Sequence, residues 1–135
     1  MDKVLLIVED NPSVMDLYET AFKLNSFDVE KAYNGDEALQ RLSGSLHKPA
    51  VILLDIMMSK MNGFDLLAKL KQNPELQRIP VVILSNLAQQ HDVDKGLELG
   101  AVLYLVKSQY DPQEVVDRVT SVLQRYDGKS KAAGV

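Results

Sequence analysis

Four runs of apolar residues stand out along the chain because no polar position interrupts them and each ends in a polar group. Val51-Ile52-Leu53-Leu54 runs into Asp55, Val4 to Val8 into Glu9-Asp10, Val81 to Leu84 into Ser85, and Val102 to Val106 into Lys107. Short unbroken apolar runs predict strands buried on both faces, as in a parallel sheet. A fifth run, Phe27 to Ala32, alternates Phe27 and Val29 with Asp28 and Glu30, which predicts a strand nearer the edge.

Between these runs the apolar period lengthens to that of a helix. Asn11 caps and Pro12 opens a helix carrying Val14, Leu17, Tyr18, Ala21, Phe22 and Leu24, closed at Asn25-Ser26. Asn34-Gly35-Asp36 turns into a second through Ala38, Leu39 and Leu42, closed by Gly44 and Ser45. Gly63 begins a third with Phe64, Leu66, Leu67 and Leu70, stopped by Asn73-Pro74. Ala88 to Leu99 reads as a helix with a thin apolar face, mainly Val93, Leu97 and Leu99, and Gly100 as its cap. Asp111-Pro112-Gln113-Glu114 has capping-box spacing, and Val115, Val116, Val119, Val122 and Leu123 form the inner face that follows. Gly128 to Val135 is small, polar and Lys-containing, so a flexible tail is expected over 127–135 after a domain spanning 3–126.

Five strands alternating with five helices predict an α/β fold with a parallel sheet covered by helices on both faces. Composition narrows the function. The 135 residues suit one domain with a real core, and 46% hydrophobic with 25% charged residues is ordinary for a globular protein. A net charge of −4 argues against a direct nucleic-acid surface. The absence of cysteine excludes disulfides, thiolate metal sites and cysteine nucleophiles, and suits a cytoplasmic location. No apolar run reaches membrane-spanning length, and the start lacks the features of a signal peptide.

A parallel sheet gathers the carboxyl ends of its strands on one edge, where ligands bind. Glu9, Asp10, Asp55, Ser85 and Lys107 would therefore share one crevice. Three carboxylates repel one another, so the site should want a divalent cation, and oxygen-only ligands suit Mg²⁺. Adding +2 from the metal and +1 from Lys107 to −3 from the acids gives a near-neutral site prepared for a phosphoryl group. A carboxylate there can act as nucleophile and form an aspartyl phosphate.

On these residues the sequence resembles the response-regulator receiver domains of two-component signalling. The resemblance rests on Glu9-Asp10, Asp55, Met58, Met61-Asn62-Gly63, Ser85 and Tyr104 three residues before Lys107, and runs from about Lys3 to about Tyr126. It implies a flavodoxin-like doubly wound sheet of order 2-1-3-4-5. It also implies that Asp55 accepts a phosphoryl group from a histidine kinase or a histidine phosphotransfer protein. Asp10 and Asp55 would bind Mg²⁺, with Glu9 through water and the Met57 backbone carbonyl as a further ligand. Lys107 would pair with the phosphoryl oxygens. Ser85 would hydrogen-bond them and draw Tyr104 inward, altering the face of helix four, strand five and helix five that meets a downstream protein. The resemblance leaves a phosphorylation-linked dimer open. It implies no enzymatic activity beyond the domain's own phosphotransfer and dephosphorylation, no direct nucleic-acid contact and no membrane. No output domain is expected after helix five, as in a stand-alone regulator or an excised domain.

Three positions depart from the family pattern. Ser59 and Ser108 stand where proline is usual, leaving the isomer of the Lys107–Ser108 bond open, and Asn86 replaces a small residue beside Ser85. They keep a phosphorylation-independent interaction module as the alternative. A phosphohydrolase would need an acid two residues after Asp55, where Met57 stands, and no glycine-rich phosphate loop supports a dinucleotide site. Apolar Met57 and Leu87 flank the family's path for hydrolytic water, so a long-lived phosphoryl state is expected. His47 and His91 lack metal-ligand spacing and carry no predicted role.

Overall fold

The computed structural model describes residues 3–44 and 46–134, and side chains as far as Tyr126. Five parallel strands are built as the apolar runs predict: β1 Lys3–Val8, β2 Phe27–Ala32, β3 Val51–Leu54, β4 Val81–Ser85 and β5 Leu103–Val106. Their order in the sheet is β2-β1-β3-β4-β5. The register pairs Val8 with Leu54 and Leu54 with Ile83, so β1 and β3 end level with one another and β4 runs two residues further, to Ser85. The alternating strand β2 lies at one edge, and the unbroken apolar runs of β1, β3 and β4 occupy the interior, where both faces need apolar cover.

Five helices supply that cover: α1 Pro12–Leu24, α2 Gly35–Gly44, α3 Gly63–Gln72, α4 Gln90–Glu98 and α5 Pro112–Gly134. Successive strand residues point to opposite faces, so each interior strand feeds two cores. Leu5, Ile7, Leu53 and Leu84 pack with Met15, Tyr18 and Phe22 of α1 and Val115, Val116 and Val119 of α5. Leu6, Val8, Leu54 and Ile83 pack with Ala38 and Leu42 of α2 and Phe64, Leu66, Leu67 and Leu70 of α3. Each fully buried leucine stabilises the fold by about 2 kcal/mol.

Local chemistry sets the helix starts. The Asn11 side chain accepts the Ser13 and Val14 amides at 2.9 and 3.1 Å, and Asn62 accepts that of Asp65 at 3.0 Å. The Asp111 box closes reciprocally: the Glu114 amide donates to the Asp111 carboxylate at 2.8 Å, and the Asp111 amide to Glu114 at 3.0 Å. Such caps contribute about 1 kcal/mol each. Gly100 has φ 112°, as its capping role requires.

Two expectations need correction. Residues 127–134, expected as tail, are helical backbone continuous with α5; Lys129, Lys131, Ala132 and Ala133 favour helix enough to carry it past Gly128. Ser45 and Val135 lie outside the described residues. Helix α4 begins at Gln90 rather than Ala88, with no side-chain cap on Gln89, and the residue it buries is Gly96 rather than Val93 or Leu97. A Cβ on Gly96 would lie 2.6 Å from the Ile83 side chain and 2.9 Å from the Tyr104 ring, so only glycine lets α4 settle onto strands β4 and β5.

Candidate functional site

The sheet's hydrogen bonds carry on one step beyond β1 and β3, and this places the first two acids. The Glu9 amide donates to the Ala32 carbonyl and the Asp55 amide to the Val8 carbonyl, both at 3.0 Å. Glu9 and Asp55 are therefore fixed by the sheet and are buried, only 4% and 6% exposed. Buried carboxylates need partners. Lys107, following β5, supplies one to each: its Nζ lies 2.7 Å from Glu9 Oε1 and 3.3 Å from Asp55 Oδ2. The other oxygens take backbone donors. Glu9 Oε2 accepts the Asn11 amide at 3.1 Å and Asp55 Oδ1 the Met57 amide at 3.3 Å. The last bond holds the Met57 peptide unit, whose carbonyl is an expected ligand, beside Asp55.

Asp10, half-buried, lies at the rim. Its Oδ2 accepts the amide of Ser59 at 3.1 Å, linking the loop after β1 to the loop after β3. A proline at 59 would have no N–H to give, so the departure from the family pattern adds a hydrogen bond. Gly63 is required where the same loop enters α3. A Cβ there would stand 2.3 Å from the Asp55 carbonyl oxygen and 2.7 Å from Ile56 Cα, both backbone atoms.

The electrostatics follow from this packing. Burial pushes the Glu9 carboxyl above the usual carboxylate range; the Lys107 and Asn11 hydrogen bonds pull it back, and the Asp55 charge adds to the rise. Burial works against the Lys107 ammonium, but the Glu9 hydrogen bond and the charges of Asp55 and Glu9 outweigh it, so its pKa is raised. Glu9, Asp10 and Asp55 each present an oxygen within 4.8 Å of the others. With Lys107 they leave a formal charge of −2, and their hard oxygen donors fit Mg²⁺ or Mn²⁺ better than a thiophilic metal.

Ser85 and Tyr104 stand on the neighbouring strands. Ser85 is fully buried, and its hydroxyl accepts the Leu87 amide at 3.3 Å. The Tyr104 hydroxyl is turned toward the loop after β4, donating to the Leu87 carbonyl at 2.8 Å. Burial raises its pKa. Every residue predicted for the site thus lies at the carboxyl edge of the sheet. Asn86 is exposed, and the Lys107–Ser108 peptide bond is trans. Beside Asp55 an open apolar depression of about 510 Å³ is lined by Ile56, Met57, Met58, Asn62, Phe64 and Leu87. His91 is exposed and lies 3.3 Å from Asp92, away from the acids.

Sequence reasoning missed three participants. The Ser59 amide is backbone, signalled only by the missing proline. Gly96 was passed over in favour of larger neighbours. Tyr18, read as one of several apolar positions in α1, lines a small cavity together with Glu9 and Asp55.

Comparison with known proteins agrees with this fold. The family profile described as response regulator receiver domain matches residues 5–120. The chain is 34% identical over 129 residues to the DNA-binding dual master transcriptional regulator RpaA of Synechocystis sp., covering 96% of this chain and 52% of that protein. It is 34% identical over 125 residues to the alkaline phosphatase synthesis transcriptional regulatory protein PhoP of Bacillus subtilis, covering 93% and 50%. The chain spans about half the length or less of the curated relatives it matches first. The Mn²⁺-bound form of response regulator Rcp1 superposes with a TM-score of 0.75 at 34% identity, over 88% of this chain and 92% of that one. A Francisella response regulator receiver domain gives 0.83 at 29%, over 93% and 99%. No helix among the described residues is long and apolar enough to cross a membrane.

Proposed function

The chain belongs to the response regulator receiver domain family, and from that premise we propose that Asp55 is its phosphoacceptor. The observation that carries the reading is the Lys107 ammonium, which reaches Glu9 and Asp55 together at the edge of a three-carboxylate cluster. In the reaction an Asp55 carboxylate oxygen forms a bond to the phosphorus of a phosphohistidine. The phosphorus–nitrogen bond breaks, and its electron pair returns to the donor's imidazole. Lys107, released from Asp55, balances charge on the phosphoryl oxygens. A divalent cation bound by Asp10 and Asp55 would supply further charge neutralisation at those oxygens. Both Glu9 oxygens already hold donors, so Glu9 suits a water-mediated contact to that cation. The Met57 carbonyl completes the set.

Ser85 and Tyr104 make the readout. The buried Ser85 hydroxyl moves toward the phosphoryl group, and Tyr104 follows through their shared contact at Leu87. The α4-β5-α5 face then changes toward a downstream protein, a population shift biased by one local charge change. The phosphoryl donor is a histidine kinase or phosphotransfer protein, and the domain catalyses nothing beyond its own phosphotransfer and dephosphorylation.

Intact mass after incubation with acetyl phosphate, with and without Mg²⁺, tests the reading on the wild type and Asp55→Asn. One phosphoryl group gained by the wild type alone, and only with Mg²⁺, is the expected outcome. No gain under either condition would overturn it and leave a phosphorylation-independent interaction module.

A further inference from the structure

Tyr18 is a large polar side chain in a place that packing alone does not explain. It stands on the buried face of α1 and is only 5% exposed. It belongs to the core, shared by α1 and α5, that includes Leu5, Ile7, Met15 and Val115. Its other neighbours are the site itself. A small cavity of about 10 Å³ is walled by Tyr18, Glu9 and Asp55 together with the aliphatic side chains of Ile7, Val8, Leu53 and Leu84.

Tyr18 senses the charges above it. Burial raises the pKa of its hydroxyl, Lys107 lowers it and Glu9 raises it, so the phenol lies within range of the ion pair at the phosphoacceptor. Among the described residues the hydroxyl has no protein hydrogen-bond partner. No fully enclosed side-chain oxygen or nitrogen among them lacks one. The Tyr18 oxygen is therefore not sealed in protein, and the residue that carries it walls this cavity. A cavity of about 10–15 Å³ admits one water, provided that water finds two or more polar partners. Tyr18, Glu9 and Asp55, all in this cavity's wall, carry polar groups enough for such a water. Glu9 can accept this extra donor, because each carboxylate oxygen takes more than the single hydrogen bond it receives from Lys107 or Asn11.

We propose that Tyr18 is a positioning residue of the phosphoacceptor site, acting through one water held between its hydroxyl and the Glu9 and Asp55 carboxylates. The water fixes the rotamer of Glu9 from below, while Lys107 and the Asn11 amide fix it from the side. Glu9 so held presents Lys107 to Asp55 and keeps its place beside the cation that Asp10 and Asp55 would bind. The role toward the cation rests on the proposed function; the water does not.

Tyr18→Phe removes one oxygen and keeps the ring, and two measurements decide the proposal. In crystal structures, the wild type should show an ordered water within hydrogen-bond distance of the Tyr18 oxygen and of Glu9, and the variant should lose or displace it. By calorimetric titration with Mg²⁺, the variant should bind about tenfold more weakly, the scale for partners one step removed from a metal. Thermal unfolding should leave its midpoint unchanged or raised, which separates positioning from lost packing. A dry cavity in the wild type overturns the proposal, and needs no variant at all. Equal Mg²⁺ affinity in wild type and variant overturns it too. If the wild type binds no Mg²⁺, the cation reading of Asp10 and Asp55 fails instead, and the crystallographic water alone decides the part played by Tyr18.

Discussion

Gly96→Ala puts the contact between α4 and Tyr104 to a quantitative test. In a helix interior, glycine to alanine ordinarily stabilises by about 1 kcal/mol. Gly44, at the end of α2, has nothing within 4 Å of a built Cβ, so Gly44→Ala should show part of that gain. At Gly96 the new methyl would stand 2.6 Å from Ile83 Cδ1, 2.9 Å from Tyr104 Cδ2 and 3.2 Å from Tyr104 Cε2. Ile83 can rotate a terminal methyl, but the Tyr104 ring is rigid and tethered through its hydroxyl to Leu87. Overpacking of this kind costs roughly 1–3 kcal/mol. The propensity gain offsets about 1 of that, so Gly96→Ala should be destabilised by roughly 0–2 kcal/mol where Gly44→Ala is stabilised. Tyr104→Ala removes the ring. In that background Gly96→Ala should recover most of its intrinsic gain, giving a coupling energy of about 1–3 kcal/mol. Urea unfolding of the wild type, both single variants and the double variant, followed by circular dichroism, gives all four values. Additivity within about 0.5 kcal/mol would refute the reasoning, since it would mean that α4 and Tyr104 do not share this contact.

Two further outcomes follow from the site. Gly63→Ala drives a methyl into the Asp55 carbonyl and Ile56 Cα, and backbone cannot rotate away as a side chain can. Chemical denaturation should show a loss of about 3 kcal/mol or more, and a variant of wild-type stability would show that the loop after β3 is looser than its geometry. Met57 is 58% exposed beside Asp55, and its thioether offers no group to orient a water toward a phosphoryl group on the proposed acceptor. Met57→Asn supplies a donor and an acceptor there, so phosphorylated variant should lose its phosphoryl group several-fold faster than wild type when followed by intact mass; equal lifetimes would sink the explanation.

Much of this molecule could be read before its coordinates, for identifiable reasons. The unbroken runs ending at Glu9, Asp55 and Ser85 announce strands buried on both faces, the run ending at Lys107 forms the part-buried edge strand β5, and a parallel sheet leaves the last residues of all four nowhere to go but one edge. The Asp111-to-Glu114 box reads directly because its partners are three residues apart. Legibility fails where the partner is remote or has no side chain. Gly96 acts by what it lacks, against Tyr104 eight positions on. The Ser59 amide meets Asp10 across 49 residues. Tyr18 shares a helical face with apolar neighbours, and period alone cannot say that it lines a cavity with the acids. The limit of α5 was misplaced because Gly128 signals a stop that a run of lysines and alanines overrides.

The ion pairs at the sheet edge also bear on when the protein becomes competent during its synthesis. Lys107 is 98 residues from Glu9 and 52 from Asp55, and β4 lies between β5 and the strand that carries Asp55. A ribosome-bound chain that has exposed β1 to β4 already holds all three acids but not the one ammonium that balances two of them. Such a fragment carries uncompensated like charge where the finished domain carries an ion pair, so its sheet edge gains that stabilisation only when the last strand docks. Non-local pairing of this kind is among the slowest steps available to a small domain. The ion-paired cluster of Glu9, Asp55 and Lys107 is therefore complete only once β5 has docked beside β4, at the end of the chain's path through the sheet.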